Sequence, residues 1–201
     1  MRLLFVRHGE TTWNRDGRYQ GQSDPPLSAR GEEQARAIAD RLAAEDVATI
    51  VTSPLIRARA TAQLVATRLD LPLATDSRLT EITYGEWEGL HQAEVKLRWP
   101  AALRSWKRTP ERVTFPGGES LYELQARVRS FLAHMSRQSG TIVAVTHSGF
   151  VKLAALEIQG LPLAAFRNVY VGNASITACT MRGDEFVICS LNDVAHLPDG
   201  K

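Results

Sequence analysis

The apolar positions of this chain fall into short runs separated by polar, glycine- or proline-bearing breaks. Leu3-Leu4-Phe5-Val6 is continuously apolar and stops at Arg7-His8-Gly9, which predicts a central strand buried on both faces rather than one with a wet side. A polar loop follows through Asn14, Gly17, Gln20-Gly21 and Asp24-Pro25-Pro26. Ser28 then caps a helix running to about Ala44, because Ala35, Ile38, Ala39 and Leu42 recur at helical spacing. Thr49-Ile50-Val51-Thr52 reads as the next strand. Ser53-Pro54 predicts a helix start with a cap residue before a proline at the first helical position, which puts Arg57 in the first turn.

From Leu71 to Gly118 the pattern loosens, with Trp99-Pro100, Thr109-Pro110 and Pro116-Gly117-Gly118 interrupting any long element, so short helices or a lid-like insertion at about 91–119 are expected. Ser120 and Glu123 have capping-box spacing, and the helix they open runs to about Ser136 with Leu124, Val128, Phe131 and Leu132 inward. Thr141 to Val145 is a strand, Val151 to Gln159 a helix closed by Gly160, and Ala174 to Met181 and Glu185 to Leu191 two strands joined by a turn. Repeated strand–helix alternation ending in a hairpin implies an α/β protein: a three-layer α/β/α sandwich, with a mostly parallel sheet carrying an antiparallel element. The whole chain, 1–201, is expected to form one domain, and right-handed crossovers make the strands before His8 and His147 neighbours.

Composition narrows the class. With 44% hydrophobic and 23% charged residues, 201 residues suffice to bury a core, which excludes a tail or collagen-like reading. The net charge is +2 without a block of like charges, so no nucleic-acid partner is expected. No apolar stretch approaches the roughly 20 residues of a membrane span, and the opening apolar run is too short for a secretory signal. No membrane partner and a cytoplasmic location are therefore expected. Cys179 and Cys189 flank the final turn and lack Cys-x-x-Cys spacing, which suits small core residues on facing strands in a reducing compartment.

The candidate chemistry sits where two strands open into glycine-containing turns, at Arg7-His8-Gly9-Glu10-Thr11 and at Thr146-His147-Ser148-Gly149. Ligands of open α/β sheets bind at the carboxyl ends of the strands. Arg7 adds a cation with a planar donor fork, so the first loop can hold a phosphoryl group against a nitrogen nucleophile.

In this chain Arg7-His8-Gly9-Glu10-Thr11, Asn14, Arg18-Tyr19-Gln20-Gly21, Leu27-Ser28-x-x-Gly31, Ser53-Pro54-Leu55-x-Arg57-Ala58, Glu81, Gly85-x-Trp87-x-Gly89 and His147-Ser148-Gly149 occur in order. The ordered set resembles the histidine phosphatase superfamily, also called the phosphoglycerate mutase-like family, over most of the chain. The resemblance implies that His8 is the nucleophile and forms a phosphohistidine. It implies that Arg7, Arg57 and His147 hold the equatorial oxygens, with Asn14 as a neutral donor. Glu81 is placed as the acid that protonates the leaving oxygen and the base that then activates water, a role a carboxyl among partly buried neighbours can fill. Gln20, Gly21 and Ser148 would touch phosphate or substrate, and Glu10 would orient the ring of His8. No cofactor and no metal are implied, and the partner is a small phosphomonoester.

Close to Glu81 in sequence lie two competitors, Glu86 and Glu88. The stretches Tyr84 to Gly89 and Phe115 to Ser120 look like the phosphatase branch, whereas mutases of the family generally carry a longer, more basic insertion. Lys96, Arg98, Arg104, Lys107 and Arg108 leave mutase-type phosphoryl transfer as the alternative, followed by a non-catalytic phospho-ligand binder and a metal-dependent hydrolase. Among phosphatases the resemblance extends to broad-specificity, phosphoserine and α-ribazole phosphatases without choosing between them. Some relatives pair through strands, which leaves a homodimer open. His91, His134 and His196 match no catalytic motif and are expected at the surface or an interface, and Trp87, Trp99 and Trp106 are expected to pack.

Overall fold

The computed structural model describes residues 1–198. In chain order it contains β1 (Arg2–Arg7), α1 (Thr12–Asp16), α2 (Ala29–Leu42), β2 (Val47–Thr52), α3 (Ile56–Leu69), β3 (Leu73–Thr75), α4 (Gln92–Arg98), α5 (Pro100–Arg108), α6 (Leu121–Met135), β4 (Thr141–Thr146), α7 (Ser148–Ile158), β5 (Ile176–Arg182) and β6 (Glu185–Asp193). Six strands form one sheet in the order β3-β2-β4-β1-β5-β6, with β1 to β4 parallel and β5 and β6 antiparallel. The expected α/β/α sandwich with a mostly parallel sheet is the fold observed.

Alternation along the strands explains the layers. Leu4 and Val6 of β1, Ile50 of β2 and Val143 and Val145 of β4 meet Ile38, Ala39 and Leu42 of α2 and Ala58, Ala62 and Val65 of α3 on one face. Leu3, Phe5, Ile142 and Ala144 meet Leu124, Val128 and Phe131 of α6 and Phe150 and Leu153 of α7 on the other. All four residues of the first apolar run are at most 1% exposed, which is why that run lacks polar alternation. The second face also takes in Trp87, Val95, Leu103, Trp106, Val113 and Phe115, so the loosely patterned segment is built into this core through its aromatic residues. Trp99 is partly buried against the same cluster.

Several boundaries differ from the sequence expectation, each for a local reason. The third helix begins at Ile56 with Leu55 as its cap residue, so Ser53-Pro54 is not its start. Ser53 is extended chain beyond β2, its amide bonded to the Val145 carbonyl, and its hydroxyl is used elsewhere. Arg57 nonetheless lies in the first turn. The stretch after His8 contains α1, a five-residue helix closed by a Thr11/Asn14 capping box and by Gly17 in the left-handed region. Strand β3 is three residues long and carries no recognisable period. Helix α7 begins at Ser148, making His147 its cap residue, and β5 begins at Ile176 because Ala174 has φ of 58° and cannot lie in a strand. Inside α6, Met135 is buried and Leu132 only partly so. Cys179 is a buried core residue, but Cys189 is exposed on the edge strand β6, and both are free thiols. Among the described residues no helix is long and apolar enough to cross a membrane.

Candidate active site

Parallel pairing of β1 with β4 sets Arg7 opposite Thr146, so the residues that follow each strand, His8 and His147, emerge side by side at the carboxyl edge. Their ring centroids are 5.1 Å apart at 60°. The backbone of His8 is pinned from both sides: its amide donates to Thr146 and its carbonyl accepts from Ala174. Gly9 is needed here for close approach, since a Cβ at this position would overlap the Gly31 carbonyl and one at Gly31 would overlap the Glu10 carbonyl. The first loop and the start of α2 thus touch backbone to backbone, which links the Arg-His-Gly and Leu-Ser-x-x-Gly motifs physically.

Nδ1 of His8 lies 2.7 Å from the Gly9 carbonyl oxygen, an atom that can only accept, so the ring proton is on Nδ1. Nε2 is therefore the bare nitrogen, and it accepts from Arg57 Nε at 3.3 Å. Burial pushes the His8 imidazolium well below its usual pKa, Arg57 and Arg7 push the same way, and the Gly9 carbonyl opposes them. His147 is lowered for the same reasons, burial first and then Arg57, His8 and Arg7. Both rings are neutral at neutral pH. His8 is oriented by backbone and not by Glu10, whose carboxylate instead accepts from the Ser28 hydroxyl at 2.8 Å.

Arg57 is 1% exposed. It donates from Nη1 to the Ser23 carbonyl (2.8 Å) and from Nη2 to the Gly21 carbonyl (2.7 Å), and Asp24 lies 3.7 Å away. Arg7 donates from Nη1 to the Val171 carbonyl at 2.7 Å and leaves Nε buried without a partner. His147 Nε2 lies 2.8 Å from Ser53 Oγ, and its Nδ1 is buried without a partner. A buried polar nitrogen left unmatched is costly: Arg7 Nε is a donor, and with Ser53 Oγ accepting from the Leu55 amide and donating to His147 Nε2, Nδ1 is one too, which suits an acceptor between them.

Glu81 is buried, accepting from the Ile82 amide at 3.0 Å and the Gly149 amide at 3.1 Å. Its field reaches both Arg7 and Arg57. Its sequence competitors are elsewhere: Glu86 is exposed, and Glu88 accepts from the amides of Gln22, Ser23 and Tyr84 and from the Ser23 hydroxyl. Asn14 Oδ1 accepts from Thr11 and from Asn173 Nδ2, which leaves its amide nitrogen for a ligand. Gln20 Oε1 likewise accepts from Thr11 Oγ1 at 2.9 Å. Gly21, at φ 55°, turns its carbonyl to Arg57, and Ser148 Oγ reaches the Val171 carbonyl at 3.5 Å.

Sequence reasoning missed four contributors. Ser53 fixes His147, and Thr61 Oγ1 accepts the Gly9 amide at 3.1 Å. Glu88 builds the 21–23 loop, and Arg127 donates to the carbonyls of Arg78, Thr80 and Glu81 while pairing with Glu119. Ser53 has a visible signal in its place in the Ser53-Pro54 motif, and Glu88 stands out in the sequence only as a competitor of Glu81. His196 also departs from expectation: it is part-buried, with Nε2 3.0 Å from the carbonyl of Ala174, the residue whose amide holds His8. Among the described residues no three His, Cys, Asp or Glu side chains converge as metal ligands.

The fold and this edge-of-sheet constellation of two neutral histidines, the buried Arg57, the partly buried Arg7 and a carboxylate define a phosphoryl-handling α/β enzyme. The chain belongs to the histidine phosphatase superfamily (branch 1), whose pattern matches residues 3–194. Phosphoserine phosphatase 1 of Hydrogenobacter thermophilus is 36% identical over 199 residues, covering 98% of this chain and 94% of that protein. A probable phosphoglycerate mutase, GpmB of an Enterobacter species, is 32% identical over 98% of this chain and 95% of its own length. A mycobacterial glucosyl-3-phosphoglycerate phosphatase solved with VO3 superimposes with a TM-score of 0.88 at 32% identity, covering 95% of this chain and 98% of that one. This chain is a phosphoric monoester hydrolase.

Proposed function

We propose that the protein hydrolyses small phosphomonoesters through a phosphohistidine on His8, without a metal ion. The observation that carries the reading is the tautomer of His8: with the proton held on Nδ1 by the Gly9 carbonyl, Nε2 carries an unprotonated lone pair beside the Arg57 guanidinium and within the field of Arg7. In-line attack forms the Nε2–P bond as the ester P–O bond breaks. Charge on the three equatorial oxygens is met by Arg7, Arg57, His147 and the Asn14 amide, with Arg57 Nε releasing His8 Nε2 as phosphorus approaches. The orphaned Nε of Arg7 and Nδ1 of His147 gain partners in that state.

Glu81 gives a proton to the departing alkoxide and takes one from the water that attacks the phosphohistidine, so the carboxyl is regenerated each cycle. Gln20, Gly21 and Ser148 form the rim, and the segment 91–119, anchored by Trp106 and Phe115, covers the substrate. Mutase-type transfer differs only in the acceptor, a second hydroxyl in place of water.

Turnover of p-nitrophenyl phosphate in EDTA tests the reading together with quenching under alkaline conditions, which preserve a phosphoramidate. Wild type retains full activity in chelator and traps label on His8, whereas His8→Ala does neither. Loss of activity in EDTA, or label retained by His8→Ala, refutes it. Interconversion of phosphoglycerates faster than their hydrolysis would transfer the assignment to a mutase.

A further inference from the structure

Two cations beside the phosphoryl site take no part in the chemistry above. Lys152 lies one turn after Ser148 on α7, so the two side chains leave the same helix face. Ser148 and Arg7 donate to the same Val171 carbonyl, which sets that face next to Arg7. Lys152 Nζ is 5.5 Å from the centroid of Phe166, and the guanidinium carbon of the following residue, Arg167, is 5.9 Å from that of Trp106. Phe166 and Trp106 are themselves packed with centroids 5.6 Å apart. Both cations therefore stand on one aromatic floor, which continues through Phe115 to Tyr84.

Neither cation has a hydrogen bond or ion pair to a carboxylate among the described residues. Lys152 is half-buried, within the fields of Arg7, Arg167 and Glu81, and burial and Arg7 weaken its hold on its proton. Like charges gathered over a low-dielectric floor with no carboxylate in direct contact raise the energy of the empty site and favour an incoming anion. The transferred phosphate already has its own donors, so the anion is a second group on the same molecule.

We propose that Lys152 and Arg167 form a subsite for a carboxylate carried a few bonds from the ester oxygen, making the physiological substrate a phosphorylated hydroxy or amino acid. The assignment rests on the phosphatase reading. Arg167 presents the planar fork that a carboxylate matches, and Lys152 supplies the point charge that favours anions over neutral or cationic substituents.

The test compares kcat/KM for O-phosphoserine, for O-phosphoethanolamine, which lacks only the carboxylate, and for p-nitrophenyl phosphate. Wild type favours O-phosphoserine by about 10-fold or more, the worth of one charge-assisted contact. Lys152→Met, which keeps the stem on Phe166, and Arg167→Gln each remove most of that preference through KM and leave p-nitrophenyl phosphate turnover unchanged. Lys152→Arg retains the preference, and Lys152→Glu shifts it toward O-phosphoethanolamine. Equal use of the two amino compounds by wild type, or equal loss on all three substrates in the variants, overturns the subsite while leaving the phosphatase intact. No turnover of p-nitrophenyl phosphate by wild type removes the phosphatase reading and the subsite with it.

Discussion

Gly149→Ala tests whether Glu81 is the proton donor, because the substitution moves that carboxyl and little else. A Cβ built on Gly149 overlaps Glu81 Oε1, and it would lie 3.2 Å from the carboxyl carbon and 3.5 Å from Ile82 Cγ2. Restoring an ordinary contact requires the oxygen to retreat by about 1 Å, and a displacement of that size at a reacting group costs on the order of 10²-fold in rate. The retreat also stretches the bonds from the Ile82 and Gly149 amides that set the carboxyl's direction. His8, Arg7 and Arg57 do not contact this Cβ, so attack on phosphorus is untouched. Pre-steady-state formation of phosphoenzyme from an alkyl phosphate, whose leaving group needs protonation, should fall about 10²-fold, while that from p-nitrophenyl phosphate should stay close to wild type. Equal loss on both substrates, or none on the alkyl ester, would show that the acid is another group.

Protonation of the two buried histidines predicts the acid limb of stability. Their folded-state pKa values lie well below the unfolded value of about 6.5, so the unfolded chain takes up protons the native state refuses as pH falls. Stability is then flat above about pH 6.5 and declines below it by about 1.4 kcal/mol per pH unit for each histidine, until the folded pKa values are reached. Urea midpoints between pH 7 and pH 5 check this: His147→Gln should flatten the slope, and an unchanged slope would contradict it. Arg57→Lys keeps the charge but cannot serve His8 Nε2, Gly21 and Ser23 in three directions, so kcat/KM should drop by about 10²-fold and orthovanadate should inhibit more weakly. Inhibition constants identical to wild type would place the anion elsewhere.

Legibility in the sequence followed how local the cause was. The helix opened by Ser120 was readable because Glu123 reciprocates the cap within one turn, and the first strand because burial on both faces leaves no polar alternation. Helix α1 escaped because a five-residue helix has no apolar stripe and rests on a capping box alone. Glu81 could not be separated from Glu88 by spacing. What separates them is that the oxygens of Glu88 are occupied by the nearby Tyr84 amide and by the amides of Gln22 and Ser23, which lie more than sixty residues away in sequence.

By itself, the order of residues determined the alternation of strands and helices, hence the sheet, and placed two histidines at strand ends with arginines in reach. Only the tertiary structure decided that those rings are neutral, that the proton of His8 sits on Nδ1, and that Lys152 and Arg167 share an aromatic floor beside Arg7. Secondary structure arises from periodicity along the chain. Protonation and charge pairing arise from desolvation and from fields between groups that are close only after folding, and the local sequence does not record those distances.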